Sequence, residues 1–159
     1  MVNVLVLCTG NSCRSVLGEA LFNHLGAGRM KAYSAGSTPI GRTNANAVKT
    51  LQKHGVKTEG FTSQSWNEFE DHNIDIAITV CDNAANEECP VYLNSVVRAH
   101  WGLSDPAHLK GTKNEIDEAF EKTFAAMERR VKAMLALPFE EFSAQQLTEE
   151  LNKIGKIDA

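Results

Sequence analysis

With 159 residues, 43% hydrophobic and 23% charged, the chain has the composition of one ordinary globular domain, long enough to enclose a core. A formal net charge of -4 argues against nucleic acid or an anionic membrane as partner, so any attraction for an anion has to be local. No apolar run reaches the roughly 18 residues of a membrane span, and the first seven residues lack the basic start and cleavage site of a secretory leader. The expected location is cytoplasmic.

Val2–Leu7 is an apolar, β-branched run that predicts a buried parallel strand. It enters a polar turn at 8–14 and then a helix over 15–25, where Val16, Leu17, Ala20 and Leu21 recur at helical spacing and Gly26 closes the pattern. A second strand is predicted at 31–35, ending at Gly36, and a second helix at 43–54, stopped by Gly55. The run 74–80 predicts a third strand that delivers Cys81 at its end; 95–99 predicts a weaker fourth, followed by a loop over 100–108. A long helix is expected over 114–137, with Ile116, Phe120, Phe124, Met127 and Val131 on one stripe. A last amphipathic helix is expected over 143–154, begun by a Ser N-cap. Alternating strands and helices without repeats or linkers predict a three-layer α/β/α sandwich around a four-stranded parallel sheet. Ligands of such sheets bind at the carboxyl ends of the strands, where Cys8 and Cys81 both fall.

The chemistry concentrates in Cys8-Thr9-Gly10-Asn11-Ser12-Cys13-Arg14-Ser15, a Cys and an Arg separated by five residues at a strand-to-helix junction. A loop wound around a helix N-terminus points backbone amides inward and adds the positive end of the helix dipole, which makes a nest for a tetrahedral oxyanion. Gly10 is expected to relieve the backbone, and Asn11 to tolerate positive φ while its side chain ties the loop together. Arg14 offers a planar fork for two oxygens, which Lys does not. The same field favours a thiolate at Cys8, with Ser15 expected both to donate to that sulfur and to cap the helix. Alone, Cys8 would read as a core cysteine and Arg14 as a surface residue; the junction with Gly and Ser in place favours the anion loop. No Gly-x-x-x-x-Gly-Lys occurs, so this is not a nucleotide loop, and Gly26-Ala27-Gly28 is a plain turn.

This octapeptide resembles the signature of the low-molecular-weight protein tyrosine phosphatase fold, and Asp105-Pro106 resembles that fold's general-acid loop. Ser34-Ala35-Gly36, the 74–81 strand, and His100-Trp101-Gly102-Leu103-Ser104-Asp105-Pro106-Ala107 together are similar to the arsenate reductase branch, over roughly residues 1–137. That range is read as the catalytic domain, and 138–159 as a helical extension packed on or trailing it. Phosphatases of this fold follow Asp-Pro with aromatics that pack on phosphotyrosine; here Ala107 and His108 follow.

The resemblance implies a thiol cycle. Cys8 attacks arsenic held by Arg14 and the loop amides, and Asp105 gives a proton to the departing hydroxyl. Cys81 then attacks Cys8, and Cys89 attacks Cys81, moving the disulfide to Cys81–Cys89. A dithiol protein of the thioredoxin or glutaredoxin type, or glutathione, supplies electrons; no cofactor, metal, nucleic acid or membrane is implied. The segment 82–88 is short, polar and free of bulky apolar groups, as a travelling disulfide requires. A zinc site fits poorly, since the seven residues between Cys81 and Cys89 exceed the usual two to four; two unrelated cysteines remain a further reading. Cys13 is either structural or a reversible shield for Cys8.

Glu19 and Ser34 are placed behind the loop as support, and His100 and Trp101 as residues that fix the approach to Asp105. His24, His54, His72 and His108 read as surface or helix-end residues, and Asp75 as exposed or capping. The rival readings are a tyrosine phosphatase, since arsenate and phosphate are near-isosteric, and a redox-regulated module that captures a phosphorylated partner without catalysis.

Overall fold

The computed structural model describes residues 1–157, so Asp158 and Ala159 of the expected extension lie outside the described residues. Four strands, β1 (Val2–Leu7), β2 (Met30–Ala35), β3 (Ile76–Thr79) and β4 (Val97–His100), form one parallel sheet in the order β2-β1-β3-β4. The helices are α1 (Arg14–Leu25), α2 (Ala45–Lys53), a one-turn α3 (Asp82–Asn86), α4 (Lys113–Leu135) and α5 (Ala144–Ile154). Among the described residues no helix is long and apolar enough to cross a membrane.

The pleat of β1 sorts its apolar run to two sides. Val4 and Val6 join Leu17, Leu51, Phe120, Met127 and Leu151 in a large core under the long helices. Leu5 and Leu7 face Trp66, Phe69, Ala77 and Leu93 in a smaller one. The second outer layer is thin, because 3₁₀ turns at Trp66–Phe69 and Val91–Leu93 cover that face in place of a long helix. Both turns escape a periodicity reading, since three or four residues cannot display a period.

Central β1 has β2 on one side and β3 on the other, so the chain reverses direction across the sheet between β1 and β3. That switch point opens a crevice at the carboxyl ends of these two strands. The third strand is shorter than expected: only Ile76–Thr79 pairs on both sides, with β1 and with β4. The fourth is displaced toward the carboxyl end, to Val97–His100.

Local chemistry sets the helix ends. Thr112 and Glu115 form a reciprocal capping box on α4, and Ser143 accepts from the Gln146 amide at 3.1 Å to begin α5. Asn44 caps α2 by accepting from the Asn46 and Ala47 amides. α5 lies on β4 and α4: Leu147, Leu151 and Ile154 are buried, and Trp101 donates from Nε1 to the Leu151 carbonyl at 2.8 Å.

Candidate active site

Strand β1 ends where its last amide bond to β2, Cys8 N–H to Ala35 at 3.2 Å, hands over to the loop. The loop carbonyls turn outward: those of Thr9, Gly10 and Ser12 accept from the amides of Thr38, Ile40 and Asn44 at 3.0, 3.0 and 2.8 Å. Among the described residues, no backbone carbonyl accepts from the amides of residues 9–15. Helix α1 begins at Cys13 with no side-chain cap. Amides left free around a helix start are what an oxyanion accepts from.

Asn11 holds the loop from within. It has φ 46°, and its amide group donates to Ser15 Oγ at 2.9 Å while its carbonyl accepts from the Gln64 amide at 2.8 Å. Ser15 thereby keeps its own proton for Cys8 Sγ, 2.9 Å away. Two expectations need correction. Ser15 does not cap α1; it is buried in the first turn and spent on Cys8 and Asn11. Gly10 is not the glycine the loop demands, since a Cβ there would meet only the Ile40 side chain at 3.5 Å. Gly36 is that glycine: a Cβ on it would lie 2.9 Å from the Cys8 carbonyl oxygen, 3.1 Å from the Asn11 amide and closer still to the Thr9 carbonyl.

A cavity of about 610 Å³ opens above the loop. Cys8, Thr9 and Arg14 form its floor, Cys81 one wall, and Asp105 with His108 another. Among the described residues, no Phe, Tyr or Trp lines it. Arg14 donates from Nη1 to the Leu103 carbonyl at 2.8 Å and lies 3.5 Å from Asp105 Oδ2. Asp105 also accepts from the Ala107 amide at 2.9 Å and lies 3.2 Å from His108 Nε2. His108 is thus a surface residue that also contacts the acid candidate.

Cys81 is buried at the start of α3, where its sulfur accepts from the Ala84 amide at 3.4 Å and lies 3.6 Å from Thr9 Oγ1. Cys89 is not in this cavity. Half-buried, it lines a separate one with Leu7, Ala77 and Leu93, and receives a contact from Arg98 Nη1 at 3.6 Å. All four cysteines are free thiols. Cys13 is buried at the cavity edge, and burial pushes its thiol far above the usual range, with the nearby Asp105 charge adding to the effect.

Ser34 donates to Glu19 at 2.5 Å, and the Ser34 carbonyl accepts from Gln64 Nε2 at 2.5 Å; both residues therefore reach the loop through Gln64, which bonds Asn11. Burial raises the Glu19 carboxyl above its ordinary range, partly offset by the Ser34 hydrogen bonds. Asp75 is exposed and accepts from the Asn3 amide at 2.8 Å.

His100 and Trp101 do not approach Asp105. His100 sits 2.7 Å from Thr79 Oγ1 and 2.9 Å from Asp82 Oδ1, while Trp101 is fully buried and stacked on Phe22. The residue that anchors this stretch is Arg130, fully buried, whose guanidinium donates to the Trp101, Gly102 and Ile157 carbonyls. Nothing local signals that role, because Glu128-Arg129-Arg130 reads as a solvated helix face.

A cysteine and an arginine on one loop at a helix start, with an Asp-Pro turn across the same cavity, form the arrangement of the phosphatase-like α/β class. The family model described as low molecular weight phosphotyrosine protein phosphatase matches residues 3–153, and the chain belongs to this family. The match runs past residue 137, the expected end of the resemblance. A curated arsenate reductase of Bacillus licheniformis is 39% identical over 127 residues, covering 79% of this chain and 89% of that protein. The crystal structure of an arsenate reductase from Archaeoglobus fulgidus superposes with a TM-score of 0.68 at 28% identity, covering 84% of this chain and 99% of that one. A low molecular weight phosphotyrosine phosphatase from Vibrio cholerae shares the fold, with a TM-score of 0.72 at 20% identity over 89% of this chain and 98% of its own.

Proposed function

We propose that the protein is an arsenate reductase that works through three thiols. The observation that carries this reading is the meeting of Cys8 and Cys81 in one cavity with Arg14 and Asp105, without aromatic walls that would receive phosphotyrosine. The similarity to curated arsenate reductases supports the same substrate.

Cys8, with Ser15 donating to its sulfur, attacks arsenic, and a hydroxyl leaves as water with a proton from Asp105. Arg14 must first turn from the Leu103 carbonyl to the arsenate oxygens. Cys81 thiolate then attacks the Cys8 sulfur; the As–S electron pair stays on arsenic, which departs as arsenite, and a Cys8–Cys81 disulfide forms. Attack of Cys89 on Cys81 frees Cys8 and leaves Cys81–Cys89 for reduction by a thioredoxin- or glutaredoxin-type dithiol, in the reducing cytoplasm. Since Cys89 lines a different cavity, this step requires α3 to unwind, and a single five-residue turn is marginal as a helix.

The test is a single turnover of arsenate on reduced protein, with arsenite release and disulfides mapped by mass spectrometry. Stoichiometric arsenite with a Cys81–Cys89 bond is expected. Absence of arsenite together with brisk hydrolysis of an aryl phosphate would make the protein a phosphatase.

A further inference from the structure

Thr9 Oγ1 carries one proton and faces two neighbours. It donates to Glu87 Oε1 at 3.1 Å and lies 3.6 Å from Cys81 Sγ. An ionised carboxylate has no proton to give and is the stronger acceptor, so it takes the Thr9 hydrogen. The Thr9–Cys81 contact is then satisfied only if Cys81 S–H donates to the Thr9 oxygen.

We propose that Glu87 is a positioning residue that holds Cys81 as a neutral thiol at rest by claiming the Thr9 proton. Departure of the Glu87 carboxylate turns the Thr9 hydroxyl toward Cys81, where it donates to the thiolate, and the thiol proton passes to solvent. This rests on the reading of Cys81 as the second nucleophile and assigns control of it to a residue outside the thiol relay.

The placement of Glu87 suits a gate. It is the half-buried residue that ends the one-turn α3, and through Thr9 it touches the floor of the anion cavity. Cys81 shares that cavity with Cys8, Cys13, Arg14, Asp105 and His108. Arg14 is occupied by Leu103 and Asp105, and His108 by Asp105. Negative charge arriving on the loop repels the carboxylate across Thr9, which ties release of Cys81 to an occupied site. A thiolate at Cys81 before that moment would invite oxidation against Cys8 without substrate.

The test needs no arsenate. Iodoacetamide labelling of each cysteine is followed by mass spectrometry on the reduced full chain, from about pH 6 to about pH 10, a range that brackets thiol titration. Glu87→Ala is expected to raise the Cys81 labelling rate near neutrality about tenfold, the effect of roughly one unit in a thiol pKa, with Cys89 unchanged. Thr9→Val in that background is expected to cancel the gain. Glu87→Asp, which keeps the charge but withdraws it by one methylene, is expected to reproduce most of the gain and serves if the alanine variant does not fold. Wild-type Cys81 labelling in both Glu87 variants overturns the proposal, and so does a gain that survives Thr9→Val, which would make charge alone the cause. Arsenite release is measured separately, on unlabelled wild-type protein with arsenate added: its absence alongside the labelling shift would sink the reductase reading and leave the gate standing.

Discussion

Gly36→Ala is the sharpest probe of how the loop is built. The added methyl would lie 2.9 Å from the Cys8 carbonyl oxygen and 3.1 Å from the Asn11 amide nitrogen, and nearer still to the Thr9 carbonyl. Carbon and carbonyl oxygen settle at about 3.3 Å or beyond, so the loop backbone must retreat by roughly half an ångström at Cys8 and by more at Thr9. Retreat along the strand is blocked, because Gly36 itself is pinned by its amide to the Gln64 carbonyl at 2.9 Å and by its carbonyl to the Trp66 amide at 3.0 Å. Overpacking of this kind costs about 1–3 kcal/mol of stability. Misplacing the amides by up to an ångström costs about 100-fold in kcat/KM, the larger and more specific effect. The assay pairs arsenite formation with calorimetric binding of inorganic phosphate, a tetrahedral anion with no redox chemistry, and urea denaturation monitors the fold. Both phosphate affinity and turnover are expected to fall together. Wild-type phosphate affinity in a stably folded Gly36→Ala protein would refute the claim that this glycine shapes the anion nest.

Three further outcomes are expected. Ser15→Ala removes the hydroxyl 2.9 Å from Cys8 and should slow single-turnover arsenate chemistry about tenfold, and it should cost about 1–3 kcal/mol in urea denaturation because the buried Asn11 amide loses its acceptor; an unchanged rate would mean that Ser15 serves only Asn11. Leu151→Ala, at a fully buried position of α5, should cost about 2–5 kcal/mol in denaturant titration, whereas an extension that merely trails the domain would lose almost nothing. The Glu19 carboxyl, raised by burial, binds more protons folded than unfolded. Its stabilising contribution is present below the unfolded pKa and lost as pH rises through the folded one, so Glu19→Gln should flatten the decline in urea midpoint above the ordinary carboxylate range; a slope equal to wild type would contradict that assignment.

What could be read in advance and what could not divide by distance along the chain. The octapeptide from Cys8 to Ser15 is contiguous, so its place between a strand and a helix is legible from spacing alone. Asp105 is singled out only by the resemblance of Asp105-Pro106 to the family's general-acid loop, and it does lie across the cavity from Cys8. The Ser143 and Asn44 caps act within three residues, and Ser143 was recognised. By contrast, the demand on Gly36 arises from a backbone pressing on it from another segment, which no local pattern encodes. The same holds for Leu103 receiving Arg14, for Glu87 at Thr9, and for Arg130, a charge that belongs to the interior only because three carbonyls converge on it. His100 and Trp101 were assigned by proximity in sequence to Asp105. They went elsewhere because β4 ends there, and its pleat sends Trp101 into the core.

The pleat has a further consequence at the tip of the sheet. Leu7 and Ala77 line the hollow that holds Cys89, while Cys8 and Cys81 open on the anion cavity. Cys81 and Cys89, on either side of α3, thus open on two separate cavities. Under the proposed relay, passing the disulfide from Cys81 to Cys89 moves it out of the anion cavity and away from Cys8.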